Sequence, residues 1–155
     1  TWAARAWRHR LRRARSAFFG TTSAKDFTPI ASALESVSCI AVSSAKQCAR
    51  AVVPAVYQPM PLEAYWRERV DPSASRVMCV EPAAAPGNVV SVTDVPKAGE
   101  VHVIVGPEGG WSVTEIAAAQ ETGAILMSLG SRTLRADAVP IIALTALLTT
   151  WSELI

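Results

Sequence analysis

The sequence predicts a single α/β domain with a mainly parallel sheet flanked by helices. Three observations support this fold class. Short apolar runs typical of buried strands alternate along the chain with segments of helical character. Half of the residues are hydrophobic and 18% are charged, which is a globular rather than a disordered composition. A length of 155 residues is sufficient for one core without disulfides.

Polar and proline-containing breaks separate the elements predicted in the first half of the chain. The Arg- and Ala-rich residues 1–19 predict a basic helix, and the Ala- and Ser-rich residues 29–50 predict a second helix of weak periodicity. A helix over 62–70 ends at an Asp-Pro step, because the residue before a proline avoids helical backbone. The apolar run over 76–80 then predicts a buried strand.

Strand-like and helix-like segments alternate more regularly in the second half. The β-prone runs over 89–92, 101–105 and 125–129 predict three further strands. Ser112 and Glu115 have the spacing of a capping box, which satisfies free N–H groups in a helix's first turn. A helix is therefore predicted from this serine to about residue 121.

The last predicted helix, from Asp137 to about Leu154, is apolar on nearly every side. Pro140 lies in its first turn, where the missing N–H costs little. We expect such a helix to pack against its own sheet on one face and against a partner on the other. The apolar run over 141–151 is too short to cross a bilayer.

Cysteine content and charge restrict the class of protein. Cys39, Cys48 and Cys79 are odd in number and lack metal-ligand spacing, so we expect reduced, buried thiols in an intracellular protein and no metal site. Six arginines of the 15 Lys and Arg lie in the first 15 residues, which leaves nine against 13 Asp and Glu, a balance of −4. Three interpretations of this basic segment stay open: contact with nucleic acid phosphates, a solvated helix face, or a targeting leader. The arginines are Arg5, Arg8, Arg10, Arg12, Arg13 and Arg15.

The run VIVGPEGGWSVTE, residues 103–115, is the most informative stretch. It combines a strand, a glycine-rich turn and a helix start, and glycine lets the backbone approach a ligand closely. Free N–H groups at the helix start and the helix dipole favour an anion there. Parallel sheets bind ligands beyond the carboxyl ends of their strands. The ends of three strands, at 80–82, 106–110 and 129–135, are therefore predicted to build one pocket. The sequence lacks both the phosphate-loop ending Gly-Lys-Ser/Thr and the motif G-x-G-x-x-G.

Three motifs resemble those of the RsmE-type RNA methyltransferases of the SPOUT superfamily. They are VGPEGGW at 105–111, SLGSRTLRADA at 128–138 and AVSSAKQCARAVVPAV at 41–56. Members of this family use S-adenosylmethionine (SAM) to methylate N3 of a uridine in small-subunit ribosomal RNA. The resemblance covers about residues 41–154, which suggests a divergent basic segment over 1–40 and a SPOUT-like methyltransferase domain over 41–155. We recognise no family strand before Ala41, and the family's N-terminal β-barrel RNA-binding domain is expected to be absent.

The resemblance implies further properties. The C-terminal segment would form a trefoil knot whose loops bind the cofactor in a bent shape. The protein would be a homodimer formed through the apolar last helix, and it would bind small-subunit ribosomal RNA and no membrane. The expected location is the cytoplasm, or an organelle if the basic N-terminus is a transit segment.

The resemblance also implies roles for individual residues. Catalysis is assigned to Arg135 and Asp137, and RNA binding to Arg50, Arg132 and Arg135. The expected cofactor-binding residues are Val80, Glu81, Pro82, Val105, Gly106, Pro107, Glu108, Gly109, Gly110, Met127, Ser128, Leu129, Gly130, Ser131, Arg132 and Leu134.

Structural alternatives stand beside several of these assignments. Asp137 is also the expected N-cap of the final helix. Glu108 would equally be a turn carboxylate bonded to a backbone N–H, and Arg50 a surface salt-bridge partner. His9 and His102 are expected to be incidental. The motif reads LRADA where the family has LR-x-(E/D)-T-A, so Ala138 replaces a threonine.

Two other functions remain compatible with the sequence. One is a catalytically silent knotted dimer that binds RNA or cofactor without turnover. The other is an α/β module that binds a nucleotide or phosphate through the GPEGG turn.

Overall fold

The computed structural model describes residues 13–18, 30–49, 51–58, 60–68, 70–84 and 87–153. Within them, five strands form one sheet in the order β1-β4-β2-β5-β3, and every neighbouring pair is parallel. The predicted α/β fold class is therefore confirmed. The strands are β1 (Arg13–Phe18), β2 (Ser75–Cys79), β3 (Val90–Ser91), β4 (Glu100–Val105) and β5 (Ile125–Ser128). The helices are α1 (Ile30–Gln47), α2 (Leu62–Glu68), α3 (Val113–Glu121) and α4 (Val139–Thr150).

Alternate residues of the central strands face opposite sides of the sheet, because successive side chains on a strand point in opposite directions. Both sides are apolar, as expected for a parallel sheet covered by helices. On the first side, the strands pack with α4 through Val77, Val101, Val103, Met127, Ala143 and Leu147. On the second side, the strands pack with α2 and α3 through Met78, Ile104, Leu126, Tyr65, Trp66, Ile116 and Ala119. We call these groups the α4-side core and the α2/α3-side core.

The basic helix predicted over residues 1–19 is wrong for residues 13–18, which form β1. This strand pairs in parallel with β4 along its whole length, from Arg13 opposite Glu100 to Phe18 opposite Val105. Pairing with a strand far away in sequence outweighs a local helix preference, because propensity is only a weak determinant of structure. β1 also lies before Ala41, where no strand of the family is recognisable from the sequence. The other residues of the predicted basic helix lie outside the described ones.

The start of α3 agrees with the predicted capping box. The Ser112 hydroxyl accepts a 3.2 Å hydrogen bond from the Glu115 backbone N–H, and the Glu115 carboxylate accepts one of 2.9 Å from the Ser112 N–H. The final helix differs from its prediction. It begins at Val139, and its N-cap is Ala138, whose methyl side chain makes no cap hydrogen bond. The interpretation of Asp137 as the N-cap is therefore wrong.

One face of α4 packs on the sheet as expected. Ala143, Leu147 and Leu148 are buried in the α4-side core. On the other face, Ile141 is 63% exposed and Ile142 is 38% exposed within the described structure. The predicted contact of this second face with a partner stays a prediction.

The three cysteines differ in environment. Cys79 is buried at the end of β2, whereas Cys39 and Cys48 are exposed, so the expectation of buried thiols is wrong for these two. They lie in or directly after α1, where Ala45 is the one buried residue between 34 and 49. Across the part of the chain that the structure describes, no helix is long and apolar enough to cross a membrane.

Candidate active site

A cavity of about 310 Å³ opens at the carboxyl ends of β2, β4 and β5. Its volume lies within the range of roughly 300–1,000 Å³ that is usual for small-molecule sites. Apart from Val139 at the start of α4, the lining comes from the last residues of these strands and the segments that follow them. We call residues 79–82 the β2 wall, residues 106–111 the β4 wall and residues 129–136 the β5 wall. The carboxyl edge of a parallel sheet is where ligands of this fold class bind.

The structure brings most of the predicted site residues to this cavity. Those that line it are Val80, Glu81, Pro82, Val105, Gly106, Pro107, Glu108, Gly110, Leu129, Arg132, Leu134 and Arg135. Predicted residues outside the lining are Gly109, Met127, Ser128, Gly130, Ser131 and Asp137. The Met127 side chain is instead fully buried in the α4-side core, because this position of β5 faces α4.

Five lining residues had no individual assignment, namely Cys79, Trp111, Thr133, Ala136 and Val139, although Thr133 lies within the pocket segment predicted over 129–135. Trp111 directly follows the predicted GPEGG turn, and Thr133 and Ala136 lie inside the LGSRTLRADA motif. Reading each motif as a continuous wall would have included these three. Cys79 and Val139 give no comparable signal, because their positions depend on how the ends of β2 and α4 pack together.

The β4 wall is a tight turn held by its own backbone. The Gly110 N–H donates a 3.0 Å hydrogen bond to the Pro107 carbonyl. Gly110 has a φ of +74°, a left-handed conformation that is strained for any residue with a Cβ. The carboxyl group of Glu81 from the β2 wall lies 4.0 Å from the point where a Cβ of Gly110 would be.

Trp111 closes the β4 wall with its indole ring. The ring Nε1 donates a 2.9 Å hydrogen bond to the Cys79 carbonyl of the β2 wall. A Cβ placed on Gly106 would lie 2.9 Å from two atoms of this ring, so the ring lies directly against the glycine.

The start of α3 does not take part in the cavity. Its N-terminal residues are absent from the lining, and the Glu115 carboxylate bonds to both the N–H and the hydroxyl of Ser112. A carboxylate at this position already satisfies the positive end of the helix dipole. The geometry therefore disfavours an anion site at this helix start, and with it the phosphate-binding module.

Two arginines on the β5 wall carry positive charge at the mouth of the cavity. Arg132 is exposed, and the Arg135 side chain is 87% exposed. Two nitrogens of Arg135, Nε and Nη2, donate hydrogen bonds of 3.3 Å each to the two carboxylate oxygens of Asp137. This forked pairing fixes the plane of the guanidinium group. Asp137 is thus positioned to orient Arg135.

Glu81 and Glu108 place two carboxylates on the cavity lining. Glu81 is half-buried and Glu108 is exposed. Among the described residues, Glu108 makes no hydrogen bond, so its interpretation as a turn carboxylate bonded to a backbone N–H is wrong. The two acids make this part of the cavity suited to a cationic ligand.

The Cys79 thiol on the β2 wall is neutral at physiological pH. Burial raises the pKa of this thiol from 9.0 to about 12, because an apolar environment disfavours the thiolate. A neutral thiol is a poor nucleophile. Cys79 therefore contributes a small apolar surface to the cavity.

His102 is fully buried and does not line the cavity. The Tyr65 hydroxyl lies 2.6 Å from its Nδ1, and the Glu100 carboxylate lies 3.3 Å from its Nε2. A buried histidine with polar partners on both ring nitrogens is satisfied within the core. His9 and Arg50 lie outside the described residues.

Comparisons with known proteins agree with this geometry. A family model described as RNA methyltransferase domain matches residues 17–148. The chain is 30% identical over 118 residues to the ribosomal RNA small subunit methyltransferase E of Synechocystis sp., which covers 75% of this chain and 38% of that protein. The chain thus spans less than half the length of this curated relative.

Solved structures share the fold. A Legionella pneumophila protein solved in complex with SAM has a TM-score of 0.73 and 26% identity, covering 88% of this chain and 55% of that one. A ribosomal RNA small subunit methyltransferase E from Neisseria gonorrhoeae, bound to S-adenosyl methionine, also has a TM-score of 0.73. At 24% identity over 90% of this chain and 55% of that chain, this second likeness shows the fold alone.

The family match begins at residue 17, inside β1, so the likeness extends well before the motifs that carry it in the sequence. It also includes all three cavity walls. The chain therefore belongs to the RNA methyltransferase domain family, as its resemblance to the RsmE-type members predicts.

Proposed function

We propose that this chain is the catalytic domain of an RsmE-type enzyme that methylates N3 of a uridine in small-subunit ribosomal RNA. One observation carries the proposal. The GPEGGW turn and the LGSRTLR loop, which are separated in sequence by α3 and β5, line the same cavity. The family match and the rRNA methyltransferase named among the relatives support the choice of substrate.

The residues of the cavity fit SAM as the methyl donor. Val80, Leu129 and Leu134 offer apolar surface to an adenine ring, and backbone groups of the β4 wall offer hydrogen bonds to its edge. Glu81 and Glu108 supply negative charge that complements a sulfonium or ammonium group. When bound, SAM supplies the electrophilic methyl group. A structural neighbour at 26% identity was solved with this cofactor.

Arg135 is assigned to the chemistry at the uracil ring. The N3 proton of uridine is weakly acidic and must be lost, so negative charge develops on the neighbouring oxygens. A positioned guanidinium stabilises such charge, and the hydrogen bonds to Asp137 orient Arg135 in one plane. Arg132 is assigned to RNA phosphate contact because it is exposed on the same wall.

Calorimetry and a methyl-transfer assay test this proposal together. We expect the chain to bind SAM and S-adenosylhomocysteine, and to transfer a labelled methyl group to small-subunit RNA from cells that lack uridine N3 methylation. The same RNA already methylated at that uridine is the control and should accept no label. A folded chain that binds neither compound would contradict the proposal.

We also propose a homodimer with a C-terminal trefoil knot, as in the family. The exposed Ile141 and Ile142 on α4 support the dimer, since exposed apolar side chains on a helix of this kind favour a protein partner. Ile141→Asp should convert a dimer into a monomer in sedimentation measurements. Val113→Asp is the matched control, because Val113 is 84% exposed on α3. A monomeric wild-type chain would refute the dimer.

The alternative of a catalytically silent knotted dimer is favoured by one observation. Ala138 stands at the N-cap of α4, without a side-chain cap bond, where the family motif has a threonine hydroxyl. The two proposals separate cleanly in the methyl-transfer assay. Cofactor binding with no transfer to unmethylated RNA would support the silent dimer, and measurable transfer excludes it.

A further inference from the structure

The indole of Trp111 joins two of the three cavity walls. Its Nε1 donates a 2.9 Å hydrogen bond to the carbonyl of Cys79, which is the last residue of β2. Both residues line the cavity. The strands β2 and β4 are already paired up to Cys79 and Val105, and the indole bond adds a link from the last residue of the β4 wall back to the first residue of the β2 wall.

Gly106 leaves the space that this indole occupies. A Cβ at residue 106 would lie 2.9 Å from the Cε2 and Nε1 atoms of Trp111 and 3.3 Å from Cδ2. Non-bonded carbon atoms prefer separations of about 3.5–4.0 Å, so a methyl group here would displace the ring. The sequence suggested that glycine serves the approach of a ligand. The structure places a ring of the protein itself at this position.

The indole packs against the α2/α3-side core. Trp111 is half-buried and packs against this core, which contains Met78 from β2 and Ile104 from β4. The ring also lies against Gly106, and in this orientation its Nε1–H is hydrogen-bonded to the Cys79 carbonyl. A phenylalanine ring would fill much of the same space but has no donor for the carbonyl.

We propose that Trp111 is a positioning residue for the methyl-donor cofactor. Its indole holds the end of the β4 wall against the last residue of β2, and Gly106 leaves the space that the indole occupies. This inference rests on the proposed function, because it presumes that the cavity holds SAM. Trp111 acts through the two walls that it joins.

Trp111→Phe tests the hydrogen bond. The variant keeps an aromatic ring and loses the N–H donor, and one hydrogen bond of this kind corresponds to roughly a three- to tenfold change in an equilibrium. We expect the Kd for S-adenosylhomocysteine and the KM for SAM to rise by about that factor, with kcat within about twofold. A fall in kcat with an unchanged KM would contradict a positioning role.

Trp151→Phe is the matched control. The Trp151 Nε1 donates a 3.1 Å hydrogen bond to the Val95 carbonyl in the α4-side core, and neither residue lines the cavity. This variant loses the same kind of bond and should lower Tm, with the cofactor Kd kept within about twofold. Equal weakening of binding by both variants would mean that general stability, not positioning, governs affinity, and would overturn the proposal.

A double-mutant cycle tests the contact between Gly106 and the Trp111 indole. We expect Gly106→Ala to weaken cofactor binding by about tenfold or more in the wild-type background, and by less than about threefold in a Trp111→Leu background, where no ring is displaced. If Gly106 instead served the approach of the ligand, the alanine would weaken binding equally in both backgrounds. Equal factors would overturn this part of the inference.

Hydrogen exchange in the cofactor-free chain separates this inference from the proposed function. Trp111→Phe should speed amide exchange in both 79–84 and 106–111, and Trp151→Phe should not. If the wild-type chain binds neither SAM nor S-adenosylhomocysteine, the proposed function fails. The exchange result then decides by itself whether the Trp111 indole links the two walls. Faster exchange in both segments supports the indole bridge, and unchanged exchange overturns it.

Discussion

The β4 wall and the β5 wall enclose the same cavity but are held in different ways. The β4 wall has a turn hydrogen bond from Gly110 to Pro107 and the Trp111 bond to Cys79, and the Ser112–Glu115 capping box follows at once. In the β5 wall, the backbone of residues 131–134 makes no hydrogen bond to any described residue. On either side of these four residues, the Gly130 carbonyl accepts a 2.9 Å bond from the Ser128 hydroxyl, and the Arg135 carbonyl accepts bonds of 2.9 and 3.1 Å from the N–H groups of Ala138 and Val139.

This difference indicates a division of roles. A wall held by several bonds is preorganised, so that a ligand binding there loses little additional freedom. A segment without backbone hydrogen bonds and with an exposed arginine, such as residues 131–134 of the β5 wall, suits a partner of variable shape, such as RNA. We therefore propose that the β4 wall contacts mainly the cofactor, and that the arginines of the β5 wall act on the nucleic acid and in the chemistry.

The largest expected effect comes from the β5 wall. Arg135→Ala should reduce methyl transfer by about 100-fold or more, because it removes a fixed positive charge from the site of developing negative charge. The cofactor Kd should change by less than about threefold in calorimetry. Arg67→Ala is the control, since this arginine is 76% exposed and pairs with its neighbour Glu68 outside the cavity. A comparable loss of cofactor affinity in Arg135→Ala would contradict the division of roles.

The second effect concerns the β2 wall, to which Trp111 binds. Because burial raises the pKa of Cys79 to about 12, the unfolded chain loses this proton first as pH rises above 9.0. The free energy of unfolding should therefore fall with pH in this window, by about 1.4 kcal/mol from this group at pH 10. Urea unfolding of wild type and Cys79→Ala at pH 8 and pH 10 measures it. The stability difference between the two should be the same at both pH values if the thiol is not truly buried.

A third effect compares adjacent glycines of the β4 wall. Gly110→Ala forces a Cβ into a left-handed conformation and should cost about 1 kcal/mol of unfolding free energy. A Cβ on Gly109 meets no atom within 4 Å, so Gly109→Ala should be neutral within about 0.5 kcal/mol. Chemical denaturation measures both variants. Equal costs would show that the turn does not hold this conformation in solution.

The smallest effect is expected for Asp137→Asn. The Arg135–Asp137 pair is largely exposed, with 87% and 61% of the side chains accessible, so its loss should change the unfolding free energy by less than about 0.5 kcal/mol. Methyl transfer should fall by about two- to fivefold, because Arg135 loses its preferred plane. Asp137→Glu keeps a carboxylate and should retain more methyl-transfer activity than Asp137→Asn. A loss as large as that of Arg135→Ala would instead identify Asp137 as the proton acceptor.

The elements that the sequence predicts correctly are those with local signals. The apolar runs of β2, β4 and β5 are buried on both sides of the sheet. The capping box of Ser112 and Glu115 marks the start of α3 at Val113. The walls of the cavity could likewise be predicted, because parallel strands present their carboxyl ends at one edge of a sheet.

The features that the sequence did not predict depend on tertiary contacts. Pairing with β4 determines β1, and nothing within residues 13–18 indicates it. The contact between Gly106 and Trp111 depends on where the ring turns, which sequence spacing does not specify. Asp137 is of a residue type that is common at helix N-caps. However, α4 begins two residues later, and the Asp137 carboxylate pairs with Arg135 instead.

The pairing of β1 with β4 has a consequence for synthesis of the chain. Arg13 pairs opposite Glu100, so the first strand leaves the ribosome long before its partner exists. At about 5–20 residues per second, β1 waits roughly 4–17 s for the strand beside it. The sheet has no hairpin among its described pairs, and β4 is also the neighbour of β2. The sheet therefore cannot be completed until β4 has been synthesised, and β1 remains without its partner strand until then.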